Sequence, residues 1–406
     1  MEEHTTRSFI LCHRLDDVRK LALQAARYPD VDFRFALQQI DGWQRARVKL
    51  PAWAECNGII YPPHLAIEQC SSEATARYKK ELVERLMGDT PQPRKLVDLT
   101  GGMGVDFSFL ARLFTEATYV ERERELCEAA ENNFRLLGLG QAKVICGDST
   151  RYLDVLPHVQ LIYLDPARRN IHGGRTFAIS DCTPDAVALA KTLTEKADAV
   201  LLKLSPMLDW HKAVDDLTVA IGLPHVVSEV HIVSVNNECK ELLLLLQLRN
   251  QNPLRVFCAN DQQVFVFSPH KASPSPPPPL AIEEIRYVYE PNASVMKAGC
   301  FEEFAVKYGV SYIGENSHLL VSSHILSQFH GRSFVVDAVV PMSKKNLRAH
   351  LAHLSKANIA VRNYPASVAS LRKRLKLSEG GDAYIFATTR GHNEHVLLLC
   401  RRVTTH

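Results

Sequence analysis

Carboxylates that follow short apolar runs are the chemically loaded positions of this 406-residue sequence. Asp98 closes one such run and opens Asp98-Leu-Thr-Gly-Gly-Met-Gly104, where Thr100, Gly101, Gly102 and Gly104 turn the chain into an amphipathic stretch over 107–114. Glycines at a strand-to-helix turn let the backbone approach a ligand that a Cβ would hold off. The spacing departs from GxGxxG, because Phe107 stands where the third glycine belongs, and this speaks against a pyrophosphate-binding dehydrogenase. Glu121, 23 residues after Asp98, is placed to accept hydrogen bonds from both hydroxyls of a ribose. Asp148, in Cys146-Gly-Asp-Ser149, is placed beside an adenine amine, and Asp165 ends a further run where a reacting group would lie. Any one of these acids reads equally well as a helix cap or a solvated side chain. Together they mark the carboxyl ends of successive strands, the edge at which open α/β sheets bind ligands.

Asp165 begins Asp165-Pro166-Ala167-Arg168-Arg169, and Lys203-Leu-Ser-Pro206 follows the next expected strand on the same rim. Asp165, Pro166, Arg168 and Lys203 are the candidate catalytic residues. Arg168, Arg169 and Lys203 make a plausible clamp for a phosphodiester. Glu238 and Lys240 are expected to give polar contacts at the substrate mouth, and Cys239 between them is a less favoured nucleophile. Near the C-terminal end, Lys344, Lys345 and Arg348 share one expected helix and Arg372, Lys373, Arg374 and Lys376 lie along another. Such runs suit a phosphate backbone, with Tyr364 and Tyr384 as stacking surfaces. His4 and His13 lack metal spacing, His392 and His395 fall in an expected turn, and no metal site is read.

These residues need elements to hold them. Apolar positions at three- and four-residue spacing predict helices over 15–28, 33–40 and 72–87, and Pro91 and Pro93 close this helical region, 1–90. From Lys95 short apolar runs alternate with amphipathic stretches, predicting strands over 95–100, 118–121, 142–146, 160–164, 199–204 and 226–234. A last strand over 241–249 returns through Val-Asn-Asn-Glu-Cys-Lys, too short for a crossover, and is therefore antiparallel. This α/β, Rossmann-like domain spans 91–268. A proline-rich linker, 269–280, cannot form a helix or a central strand. A small α+β segment (281–333) and a basic α+β domain (334–406) follow, the latter read as strand, helix, strand, helix and two strands.

Over nearly its whole length the sequence resembles bacterial class I methyltransferases that carry a THUMP-like C-terminal domain. The likeness rests on the stretches 68–79, Asp98–Gly104, Asp165–Arg169, Lys203–Pro206 and Asn237–Glu241, and on Tyr289-Glu-Pro-Asn-Ala293 and Gly380-Gly-Asp-Ala-Tyr384. The resemblance implies a Rossmann-like sheet that binds S-adenosylmethionine (SAM), a helical N-terminal region and a ferredoxin-like or THUMP-like C-terminal module similar to RNA-binding domains. Asp165-Pro-Ala-Arg168 also looks like a variant of the Asn/Asp-Pro-Pro-Tyr/Arg motif of enzymes that methylate nucleic-acid bases, with arginine where an aromatic residue would stack. The implied activity is methyl transfer to a base in structured RNA, rRNA or tRNA. A small-molecule or protein methyltransferase, and a non-catalytic RNA-binding protein that responds to SAM, are the competing readings.

Bulk composition sets outer limits. Hydrophobic content of 46% and charged content of 23% are ordinary for a globular protein, and no apolar run approaches a membrane span. The N-terminus lacks the layout of a secretory signal, so a cytoplasmic location is expected. Ten cysteines without a CxxC pair suggest reduced thiols. The net charge of +3 is small, but from Phe334 onward twelve Lys and Arg face four Asp and Glu. That local excess favours RNA as a partner. The oligomeric state is not legible.

Overall fold

The computed structural model describes residues 2–88, 94–168, 179–269, 275–391 and 393–403. The chain divides into two compact units, Met1–Val230 with Lys240–Pro253, and His231–Cys239 with Leu254–His406.

The first unit begins with helices α1 (Glu2–His13), α2 (Val18–Ala22), α3 (Phe33–Lys49), α4 (Pro51–Glu55), α5 (His64–Gln69) and α6 (Glu73–Met87). Helix α3 starts where Asp32 accepts a hydrogen bond from the Phe35 amide at 3.0 Å. It runs past the expected end at Ile40, and Pro51 then starts α4. Ser72 caps α6 by accepting from the Thr75 amide, and Gly88, at φ 57°, ends it. The expected helix over 15–28 is shorter, α2 followed by a single 3₁₀ turn at 25–27. Trp53, Tyr61, Ile67 and Ala76 from this helical front pack against Met103, Val105 and Phe109. The front is thus fixed to the chain that leaves the glycine turn.

The sheet follows as β1 (Lys95–Asp98), α7 (Val105–Leu110), β2 (Glu116–Glu121), α8 (Arg124–Leu136), β3 (Ala142–Cys146), α9 (Ser149–Val155) and β4 (Val159–Leu164). A two-residue pair, β5 (Ala167–Arg168) and β6 (Cys182–Thr183), precedes α10 (Ala186–Lys196), β7 (Ala197–Leu204), α11 (Trp210–Ile221), β8 (Val227–Val235) and β9 (Glu238–Leu246). The strand order is β8-β9-β7-β4-β1-β2-β3. All pairs from β3 across to β7 are parallel, and β9 runs antiparallel to β7. Continuous apolar runs such as Leu161–Leu164 and Leu242–Leu246 are buried, as strands covered on both faces require. The final strand begins three residues earlier than expected. Asn236 and Asn237 take positive φ (52° and 60°), so two residues suffice for the turn, and Glu238, Cys239 and Lys240 belong to β9.

The second unit contains the tip of that hairpin, beside which run β10 (Arg255–Asn260) and β11 (Gln263–Phe267), two strands not expected from the sequence. Then come β12 (Tyr287–Pro291), α12 (Ala293–Ala298), α13 (Phe301–Tyr308), β13 (Ser311–Tyr312), β14 (Leu320–Ser322), β15 (Gly331–Pro341), α14 (Lys344–Leu351), β16 (Asn358–Arg362), α15 (Val368–Leu375), β17 (Ala383–Arg390) and β18 (Glu394–Arg402). The last six match the expected strand and helix sequence. They join one sheet in the order β13-β14-β12-β15-β18-β17-β16. Alternation divides its side chains between two cores. Ile385, Leu397 and Leu399 meet Leu351 and Leu371 of the helices, while Phe386, Leu398 and Cys400 meet Val288, Ile313 and Val321.

Candidate active site

The turn between β1 and α7 is built by close packing. The Gly101 amide donates to the Val120 carbonyl at 3.0 Å, and a Cβ on Gly101 would lie 2.2 Å from the Tyr119 ring. Gly104, at φ 79°, has the Phe134 ring 2.7 Å from where its Cβ would be. Glycine is needed at both positions on steric grounds. Asp98, 1% exposed, accepts from the Thr100 amide at 2.9 Å and from the Thr100 hydroxyl at 3.4 Å. Thr100 Oγ1 in turn accepts from the Asp165 amide at 2.6 Å, so one threonine ties the ends of β1 and β4 together. Glu121 Oε2 accepts from the Gly102 amide at 2.8 Å, and its Oε1 from the amides of Arg122 and Glu123. Asp98, Thr100, the glycines, Glu121 and Asp165 therefore form one connected rim.

Burial pushes the Asp98 carboxyl well above the usual carboxylate range; the Thr100 amide opposes this, and Asp106, Asp165 and Glu121 add to it. Among the described residues no Lys, Arg or His pairs with Asp98.

Asp165 opens onto a buried network of charges. Its Oδ2 lies 2.5 Å from Lys203 Nζ, and Lys203 is also 3.8 Å from Asp106 Oδ2. Asp106 Oδ1 is 3.1 Å from Lys79 Nζ, which reaches Glu241 Oε1 at 2.6 Å. Ser71 and Tyr163 hydroxyls each donate to Asp106 Oδ2 at 2.7 Å. Burial alone would raise the Asp106 pKa, but Lys79, Lys203 and the two hydroxyls hold it below the usual carboxylate value. Burial likewise pulls the Lys203 ammonium down, and Asp165, Asp106 and Glu241 more than offset it, leaving Lys203 firmly protonated. Lys203 thus sits between carboxylates, not free on the rim for a phosphate.

The remaining expected residues are dispersed. Asp148 is exposed and caps α9, its Oδ1 accepting from the Thr150 and Arg151 amides at 2.9 and 3.1 Å. Pro166 is buried beside Asp165, and the backbone of Arg168 pairs with Cys182 across β5 and β6. Arg169 lies outside the described residues, as does His392. Glu238 and Lys240 are exposed on β9, the former in the second unit and the latter in the first. Lys344, Lys345, Arg348, Lys373, Arg374 and Lys376 are on or beside α14 and α15 and carry no described ion pair, whereas Arg372 donates to the Ala357 carbonyl at 3.2 Å. Tyr384 packs on Phe334, with centroids 4.9 Å apart, and serves the core.

Lys79, Asp106, Tyr163, Ser71 and Glu241 were not singled out by type and spacing. The signal for Lys79 lies in its own helix. It shares the buried stripe of Ala76, Leu82 and Val83, where a lysine is 0% exposed and needs partners. Among the described residues no cluster of three or more His, Cys, Asp or Glu is arranged to hold a metal, and no helix is long and apolar enough to cross a membrane.

Residues 331–402 match a family model described as THUMP domain-like, and residues 287–329 match one described as a ferredoxin-like domain. A crystal structure of a "putative methyltransferase" from Porphyromonas gingivalis W83 is 30% identical, covers 99% of this chain and 99% of its own, and superposes with a TM-score of 0.82. A SAM-dependent methyltransferase from Agrobacterium tumefaciens is 17% identical over 43% of this chain and 60% of its own, with a TM-score of 0.29. An rRNA methylase from Streptococcus thermophilus is 15% identical over 43% of this chain and 93% of its own, also with a TM-score of 0.29. No curated protein matches the sequence.

Proposed function

Since the chain belongs to the family of class I methyltransferases with ferredoxin-like and THUMP-like C-terminal domains, we propose that it transfers a methyl group from SAM to a base in structured RNA, rRNA or tRNA, in the cytoplasm. The observation that carries the reading is the connected rim: Asp98, Thr100 and Asp165 joined by direct hydrogen bonds, and Gly102 with Glu121 joined by another, linked through the turn from Thr100 to Gly102 along the carboxyl edge of a parallel sheet.

SAM supplies an electrophilic methyl on a sulfonium centre. The donor set suits such a cation, because Asp98 is a buried carboxylate whose only described hydrogen-bond donors are the neutral amide and hydroxyl of Thr100. Glu121 Oε2 keeps one acceptor site beyond its backbone bond for a ribose hydroxyl, and Asp148 Oδ2 is left for the adenine amine. Asp165 faces the position of the transferred group. It orients a base amine and accepts its proton, while Lys203 holds the carboxylate in place. Arg168 and Arg169 are proposed to stack on the base or grip the neighbouring phosphate, with Lys240 at the substrate mouth.

RNA is favoured over a small molecule by the THUMP domain-like match and by the basic side chains of α14 and α15. The test is transfer of labelled methyl from SAM into extracts of cells lacking the protein, with the product split by ribonuclease and protease. Ribonuclease-sensitive label is the expected result. Label in protein or small molecules would move the substrate elsewhere, and SAM binding without transfer would point to a SAM-responsive binding protein.

A further inference from the structure

The helical front places a charged side chain where packing alone asks for an apolar one. Lys79 is fully buried, and burying an ammonium with its counter-ions gives no net stability over well-packed hydrophobic residues. Its geometry suggests another use. From Glu241 to Asp165 the charges alternate in sign through Lys79, Asp106 and Lys203, each within 3.8 Å of the next. Asp106 is the middle member and is buried. It is faced by Lys79 and Ser71 with Cys70 from the helical front, by Asp98 of β1, Tyr163 of β4, Lys203 of β7 and Glu241 of β9.

We propose that Lys79 and Asp106 are positioning residues for methyl transfer: Lys79 holds Asp106 in place, Asp106 anchors Lys203, and Lys203 sets the orientation of Asp165 toward the substrate. The helical front is therefore part of the reacting site and not only a cover for it. The inference rests on the methyltransferase reading for its consequence, but its geometric step does not. Without Lys79, the burial that raises Asp106 loses one of the charges that oppose it, and the carboxyl holds its proton to higher pH than in the parent. Lys203 then keeps Asp165 as its one contacting anion, and the pair shifts together, taking the carboxylate off the substrate line. A misplacement on the order of 1 Å at a reacting group costs about 10²-fold in rate.

Two variants separate this role from a structural one. Lys79→Met leaves Asp106 able to ionise at higher pH. Asp106→Asn leaves two balanced pairs, Lys79 with Glu241 and Lys203 with Asp165, and so retains the conditions for folding. The experiment follows single-turnover transfer from saturating SAM into total RNA from cells lacking the protein, across pH, with SAM affinity measured by calorimetry and a crystal structure of each variant. Both variants are expected to bind SAM like the parent and to lose roughly 10- to 100-fold in rate at neutral pH. Lys79→Met should regain activity toward alkaline pH as Asp106 ionises, whereas Asp106→Asn should not. Parent-like rates in both folded variants overturn the proposal, as does an identical pH profile for the two. If the parent labels no RNA, the RNA reading fails, and the crystal structures decide the rest. An Asp165 carboxylate in its parent position in both variants, still beside Lys203, overturns the inference, and a displaced carboxylate upholds it.

Discussion

Lys203 Nζ contacts Asp165 Oδ2 at 2.5 Å, and Lys203 is nearly buried while Asp165 retains about a third of its side-chain exposure, 36%. The pair therefore has an inner, fixed member and an outer, accessible one. Lys203→Met should leave SAM affinity unchanged, because the lysine touches none of the residues Asp98, Thr100 or Glu121, and should lower transfer by about 10²-fold, the lower end for a positioned proton acceptor. Asp165→Ala should do the same. Calorimetry and labelled methyl transfer on the same preparations check both, and full activity in either variant removes the pair from the mechanism.

Asp98 supports a prediction in pH. Its folded pKa is raised, so above about pH 4 the unfolded chain releases this proton before the folded one, and stability falls as pH rises toward the folded pKa. Asp98→Asn keeps an acceptor for Thr100 and removes that loss. The variant should melt at a higher temperature than the parent at neutral pH, with the difference fading below about pH 4, and should bind SAM more weakly by roughly 1.5–3 kcal/mol. Equal melting at both pH values would show that Asp98 is not strained by burial.

Glu121 differs, since its carboxylate already serves three backbone amides. Glu121→Ala should weaken SAM binding by a similar 1.5–3 kcal/mol, roughly, and also loosen Gly102, which the Glu121→Gln variant should partly restore. Unchanged affinity in folded Glu121→Ala protein would take this residue out of the pocket.

At Gly101 the expected effect is steric. Gly101→Ala places a methyl 2.2 Å from the Tyr119 ring and should cost about 1–3 kcal/mol of stability together with SAM binding. Gly140→Ala, where no atom lies within 4 Å of the new carbon, is the control and should be near neutral. Thermal melting of the two variants side by side checks the contrast.

The basic helices predict a salt response. Replacing Lys344, Lys345 and Arg348 with Gln should weaken RNA binding across sequences. It should also reduce the slope of log affinity against log salt by about 0.7–0.9 for each phosphate no longer neutralised. Filter binding at several ionic strengths reads this, and an unchanged slope would move the RNA surface elsewhere.

Much of this architecture is legible in the sequence because burial on both faces leaves unbroken apolar runs, as in 161–164 and 242–246, with Asp165 directly after the first and Glu241 directly before the second. The α14 and α15 region reads equally well, since its periods change cleanly between two and 3.6. Strands β10 and β11 escaped because they are joined through Asp261 at positive φ, without glycine, and because the exposed Val264 and Val266 alternate with the buried Phe265 and Phe267, which hides the change of face. The site divided similarly. Acids at strand ends announce themselves, whereas Lys79 stands beside Lys80 and looks like one of a solvated pair. On β9, attention falls on Lys240, yet strand alternation turns Glu241 to the opposite, buried side. Nothing in residue type distinguishes those neighbours until the partner strand is in place.

Strand β18 lies between β15 and β17, and it is the last strand of its sheet to be synthesised. On the ribosome, β15 and β17 would emerge with their inner edges open and with Phe334 and Phe386 uncovered, until the segment up to Arg402 had cleared the exit tunnel. For that interval the nascent C-terminal unit exposes two unpaired strand edges, the kind of surface that recruits chaperones or joins wrongly to a neighbouring chain. Translation that stops short of β18 would therefore release a chain unable to close its second core, while the first unit, complete by Pro253, would already have folded.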